Sequence, residues 1–149
     1  MFLSFARQFS GETRCYRDLP LKKTLTINGH NIRDIQSLFD EFNRVLMADV
    51  DWKLAPSLDA LNDVLHGGYG AIEGSEPVEL VWQNMEQNRS DLGLEATRAW
   101  LQNKLGSGQF NQEKIAKDLA ELEGGSGPTY FDIVLQIIAD HPNIHLLPR

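Results

Sequence analysis

Three short stretches of strand character, set far apart by helical segments, limit this chain to few topologies. Leu21 to Asn28 alternates Leu25 and Ile27 against Thr24 and Thr26. Val78 to Trp82 reads VELVW, apolar enough for a strand buried on both faces. Ile144 to Leu147 supplies a third, short apolar run. Each gap is long enough for helices, and parallel strands need such crossovers, normally right-handed. The order is strand, helix, helix, strand, helices, strand. It predicts an α/β domain with a small three-stranded parallel sheet packed with helices.

The helical segments carry their own boundaries. Asn28-Gly29 is a turn signal. Beyond it, Ile35, Leu38, Phe39, Phe42, Val45 and Leu46 form one apolar stripe, predicting a helix over 35–47 with Asp34 or Ser37 at its start. Pro56 and Ser57 open a second helix of about three turns, ending at Gly67. Its Leu58, Leu61, Val64 and Leu65 face a core, while Asp59, Asn62, Asp63 and His66 share the other side. Short helices are expected over 86–92 and 95–105. Another starts after the cap Asn111, with Phe110 and Ile115 spaced as a hydrophobic staple, and ends at Gly124-Gly125. A GGSGP linker leads to Thr129 and Asp132, a capping box for a last helix over 130–140. Trp82 and Trp100 read as core, whereas Trp52 lies in an acidic polar loop and reads as an interface anchor.

Charge narrows the partner class. Fourteen Lys and Arg against twenty-one Asp and Glu leave a net charge of −7. Phosphate backbones repel such a chain and a cationic partner attracts it. The single cysteine, Cys15, permits no internal disulfide, which is compatible with a reducing compartment and excludes a disulfide-stapled secreted domain. The opening MFLSFARQF is broken by Ser4, Arg7 and Gln8, so neither a leader nor a membrane span is expected, and the chain reads as cytoplasmic.

No constellation reads as an active site. His141 and His145 are four apart, but Pro142 breaks the helix that would align them on a metal. GGYGAIEG (67–74) lacks the Lys-Ser/Thr of a phosphate loop, and GGSGPTY opens a helix without a basic residue; both read as linkers. From pattern alone, Asp59 is an anion in a first helical turn and Asp63 a solvated carboxylate. No cofactor and no metal are expected.

Several runs carry a resemblance. LTINGHNIRDIQSLFDEFNRVL, SLDALNDVL and EPVELVWQNMEQNR resemble, in order, the first strand and helix, the second helix, and the second strand and following helix of the barstar family of ribonuclease inhibitors. Residues 129–147 are compatible with that family's final helix and strand. The resemblance implies a parallel three-stranded sheet packed with helices. It also implies an inhibitor whose second helix and preceding loop plug a basic ribonuclease, a carboxylate standing where the RNA phosphate would sit. By position Asp63 matches the key aspartate and Asp59 the acidic residue one turn earlier.

The partner-facing residues implied are Trp52, Lys53, Ser57, Asp59, Asn62, Asp63, His66 and Gly67, with Gln136 on the last helix. Departures fall at Trp52-Lys53-Leu54-Ala55, where the family has two tyrosines and a glycine, at Asn62 in place of a tryptophan, and at Gln136 in place of a glutamate. They point to a related nuclease rather than barnase itself. Residues 1–20 read as an extension with Arg7, Arg14 and Arg17. A barstar-like domain is expected over 21–149, with an inserted helical segment at about 93–128. The alternative function is a non-inhibitory interaction module on the same scaffold, using the inserted helices.

Overall fold

The computed structural model describes residues 22–149. The expected extension over 1–20 and Cys15 lie outside the described residues. Strands β1 (Lys23–Asn28), β2 (Val78–Gln83) and β3 (Ile144–Pro148) form one parallel sheet with β2 in the centre. Helices α1 (Ile35–Leu46) and α2 (Leu58–Leu65) join β1 to β2. The connection from β2 to β3 holds α3 (Met85–Asp91), α4 (Leu94–Ser107), α5 (Gln112–Glu123) and α6 (Tyr130–Ala139). No helix among the described residues is long and apolar enough to cross a membrane.

The local signals act as their chemistry dictates. Asp34 and Ser37 form a reciprocal capping box at α1, and Thr129 and Asp132 another at α6. Ser57 and Asn111 cap α2 and α5 by accepting from Ala60 N–H and Lys114 N–H. The GGSGP segment is no free linker. Gly125, at φ +83°, lets its own N–H and that of Ser126 reach back to the Leu122 and Glu121 carbonyls, closing the end of α5.

The sheet is covered unequally, which corrects the expectation for β2. Val78, Leu80 and Trp82 are buried, but Glu79 and Val81 are half-exposed and Gln83 is exposed. In register, Thr24, Glu79 and His145 share one face with Thr26, Val81 and Leu147, and none of these is buried. The core lies on the other face. There Trp82 meets Phe42 of α1 at 6.2 Å and Phe131 of α6 at 5.7 Å, both edge-on. The Trp82 indole N–H donates to Asn88 Oδ1 at 2.8 Å, and the buried Asn88 amide donates to Gly29 O and Ile32 O. A Cβ on Gly29 would lie 2.1 Å from the Gln83 carbonyl, so glycine is required there.

Helices α4 and α5 pair around a small core of Leu101, Ile115 and Leu122. Phe110 is not what seals Ile115 into it. Its ring is 46 % exposed and lies under Lys104. The hairpin is fastened to α6 twice: Tyr130 N–H donates to the buried Thr97 hydroxyl at 2.7 Å, and Trp100 stands edge-on against Tyr130 at 4.8 Å.

Candidate functional site

Helix α2 buries Leu61, Val64 and Leu65 and leaves Asp59 and Asp63 exposed. The loop before it is held from α1. Leu54 N–H donates to Asn43 Oδ1 at 2.7 Å, and the Leu54 side chain is buried in the main core. That anchor presents Trp52 and Lys53 outward, with Trp52 48 % exposed.

The loop after α2 is a closed structure. Gly74 N–H donates to Gly67 O at 2.8 Å and Ala71 N–H to Leu46 O at 2.8 Å, while Ile72 plugs the core. Gly67 sits at φ +82°, and a Cβ there would lie 2.2 Å from Gly74 O. GGYGAIEG is therefore a bonded loop rather than a linker. Its fold sets Tyr69 beside Trp52, ring centroids 5.0 Å apart. Burial raises the Tyr69 hydroxyl above its ordinary range, and the Asp63 carboxylate adds to the shift. Tyr69 was not among the residues singled out from the sequence. Its one signal there is an aromatic ring inside a glycine-rich loop.

The site residues named from sequence divide into two groups. Asp59, Asp63, Trp52 and Lys53 are exposed around the start and outer face of α2, and Gln136 is exposed on α6, which packs against α2. Ser57, Asn62, His66 and Gly67 already have partners inside the chain. Asn62 is half-buried and its Oδ1 pairs with His141 Nε2 at 2.9 Å. His66 Nδ1 lies 2.8 Å from Asn62 O, and its ring meets His141 edge-on at 4.6 Å. Gln136 donates to Asp140 Oδ1 at 2.9 Å, one turn along α6.

His141 thus pairs with His66 rather than with His145. Burial and the neighbouring His66 hold the His141 ring below its ordinary protonation range, against a smaller opposing pull from Asp140. Among the described residues no three His, Cys, Asp or Glu side chains converge as metal ligands.

On the other flank of α2, the hairpin brings Lys104 into the field of Asp59. A hollow of about 300 Å³ separates the two elements, lined by Ser57, Leu58, Asp59, Trp100, Lys104 and Tyr130 among others. The acidic face of α2 therefore stands between two aromatic shoulders, Trp52 with Tyr69 on one side and Trp100 with Phe110 on the other. Such a face offers carboxylates for charge-assisted hydrogen bonds and rings for apolar anchoring.

Comparison with known proteins gives one family. A family model described as Barstar (barnase inhibitor) matches residues 22–114, from β1 into the first turn of α5. No curated protein matches the chain.

Proposed function

The chain belongs to the barstar family, and on that premise we propose that it inhibits a small basic ribonuclease, acting as an immunity protein toward an enzyme its cell makes or receives. The observation that carries this reading is the exposed carboxylate of Asp63, acting on Tyr69, whose ring meets Trp52, on a helix whose back is locked into the core. In this reading Asp63 takes the place of an RNA phosphate against the enzyme's cationic groups, in hydrogen bonds that are shorter and stronger than neutral ones. Trp52 and Tyr69 supply the apolar anchor. Asn62, His66, Ser57 and Gly67 act by holding α2 in place. The net charge of −7 steers a basic protein inward and repels RNA. The chain does this as a binder without catalysis or cofactor, in the cytoplasm.

Lys53 next to Trp52, Asn62 turned toward His141, and Gln136 without a charge all alter the surface that the family presents. The partner is accordingly a relative of barnase rather than barnase.

The test is an inhibition screen against a panel of small basic ribonucleases, including any encoded beside this gene. Asp63→Ala should weaken the best inhibition by about 2–5 kcal/mol, the cost of removing one buried interfacial charge. Association should slow as salt rises. Unchanged inhibition by Asp63→Ala, or no inhibition of any panel member by the parent protein, overturns the proposal.

A further inference from the structure

Asp59 and Asp63 both stand exposed on α2, but only Asp59 lines the hollow of about 300 Å³ between α2 and α4. Among the described residues that line it, Asp59 and Lys104 carry the only charges, one of each sign. The cation is held in place rather than trailing in solvent. Lys104 Nζ lies 4.0 Å from the Trp100 ring centre and 4.9 Å from that of Phe110, and both rings wall the same hollow. Trp100 in turn stands against Tyr130, and the Thr97 hydroxyl accepts from Tyr130 N–H, so α4 is fixed to α6, which packs on α2.

The neighbouring charges are engaged elsewhere. Asp118, the other carboxylate that acts on Lys104, is paired with Lys114 at 2.9 Å, and Arg98 is bonded to Glu95 and Glu123. Neither Asp59 nor Lys104 has a direct ion pair among the described residues. Burial presses on the Lys104 charge, while Asp118 and Asp59 sustain it. In the free protein, water in the hollow screens the two charges from each other. A partner laid across α2 expels that water, and the attraction grows as the local dielectric constant falls.

A carboxylate covered by a partner and left without a counter-charge is strongly destabilising. Resting on the inhibitor reading above, we propose that Lys104 is a built-in counter-cation for Asp59, a specificity-determining residue carried by the α4–α5 hairpin. It fills the place against Asp59 that a cation of the enzyme would otherwise take, and it repels such a cation. Asp63 is then the carboxylate of α2 left for the enzyme's basic centre. The hairpin thereby selects, among basic ribonucleases, those that set no arginine or lysine opposite the first turn of α2.

A double-mutant cycle on Asp59 and Lys104 tests this against the panel ribonuclease that the parent inhibits best. Lys104→Gln leaves Asp59 covered and unpaired, so inhibition should weaken by about tenfold or more, chiefly through faster dissociation. Steering alone expects the reverse, since that substitution makes the chain more acidic. Adding Asp59→Asn to Lys104→Gln removes the orphaned charge and should restore inhibition to within about threefold of the parent. Lys104→Arg should retain inhibition. Lys104→Met keeps the stem on the two rings and should fail as Lys104→Gln does, which separates lost charge from lost packing. Unchanged thermal unfolding shows that the variants are folded. If Lys104→Gln or Lys104→Met inhibits as well as the parent or better, or if the double variant is no better than Lys104→Gln, Lys104 is no counter-cation, and the inhibitor reading survives provided Asp63→Ala still weakens inhibition. If Asp63→Ala has no effect, or the parent inhibits no panel member, both fall.

Discussion

Asn88→Asp is the smallest change that tests how the core is wired. The indole nitrogen of Trp82 can only donate, so the atom 2.8 Å from it is Oδ1 and the Asn88 amide nitrogen faces oxygen. That nitrogen donates to Gly29 O at 3.0 Å and Ile32 O at 3.3 Å, with Asp91 Oδ2 at 3.1 Å. Aspartate has the same shape and keeps the bond to Trp82, but sets a charged oxygen against three others. Two lost hydrogen bonds contribute about 1 kcal/mol each, and the unpaired buried oxygens add about 1–3 kcal/mol. The sum is about 3–5 kcal/mol, a large share of the 5–15 kcal/mol typical of a folded domain.

In urea, with a slope of about 2 kcal/mol per molar, the midpoint should fall by about 1.5–2.5 M. Indole fluorescence follows the transition. The pH dependence supplies a second check. The protonated carboxyl of the variant regains one donor toward Gly29 O, so its native pKa is raised. The corresponding stability is present below the unfolded value of about 3.9 and is lost as pH rises through the native one. The deficit against the parent should therefore shrink between pH 7 and pH 5. A variant within about 1 kcal/mol of the parent at pH 7, or a deficit that grows on acidification, refutes the wiring.

Three further outcomes follow from the site. Asn62→Ala leaves the His141 ring nitrogen without its partner and should cost about 1–3 kcal/mol in chemical denaturation while also weakening inhibition, because α2 loses a tether. His141 is held neutral, so its contribution is present above pH 6.5 and is lost as pH falls through its depressed native value; the drop in urea midpoint between pH 7.5 and 5.5 should be smaller in His141→Gln, and equal drops contradict this. Thr97→Val keeps the volume but deprives Tyr130 N–H of its acceptor, so proteolysis should release the α4–α5 hairpin sooner, with stability reduced by about 1–3 kcal/mol in urea.

What was legible beforehand was local. Capping pairs such as Asp34 with Ser37 and Thr129 with Asp132 act within one helical turn, so sequence spacing carries the whole interaction. The three strands and the acidic outer face of α2 were likewise readable, the first strand and the helix from periodicity and the other two strands from short apolar runs. The open face of β2 was not, since Val81 hides the alternation that Glu79 begins. Asn62 looked like a surface residue because it shares a helix face with Asp59. Its partner is His141, 79 residues away. Tyr69 and Lys104 escaped notice for the same reason. One is placed by a loop tied to the end of α1, the other by a hairpin docked through Tyr130.

The register pairs Lys23 with Val78 and Val78 with Ile144, so each strand pairing closes more than fifty residues of intervening chain. The entropy of such closure grows only with the logarithm of length, and doubling a connection costs about 0.6 kcal/mol. The second crossover can therefore gain or lose a helical hairpin at small thermodynamic cost, which makes it the natural place for a scaffold of this kind to vary its reach. The kinetic consequence runs the other way. Parallel sheets built wholly from distant pairings fold more slowly than helical bundles, because the entropy of loop closure is lost before the contacts form. Helix α2 lies inside the first crossover and reaches its working position only as that loop closes.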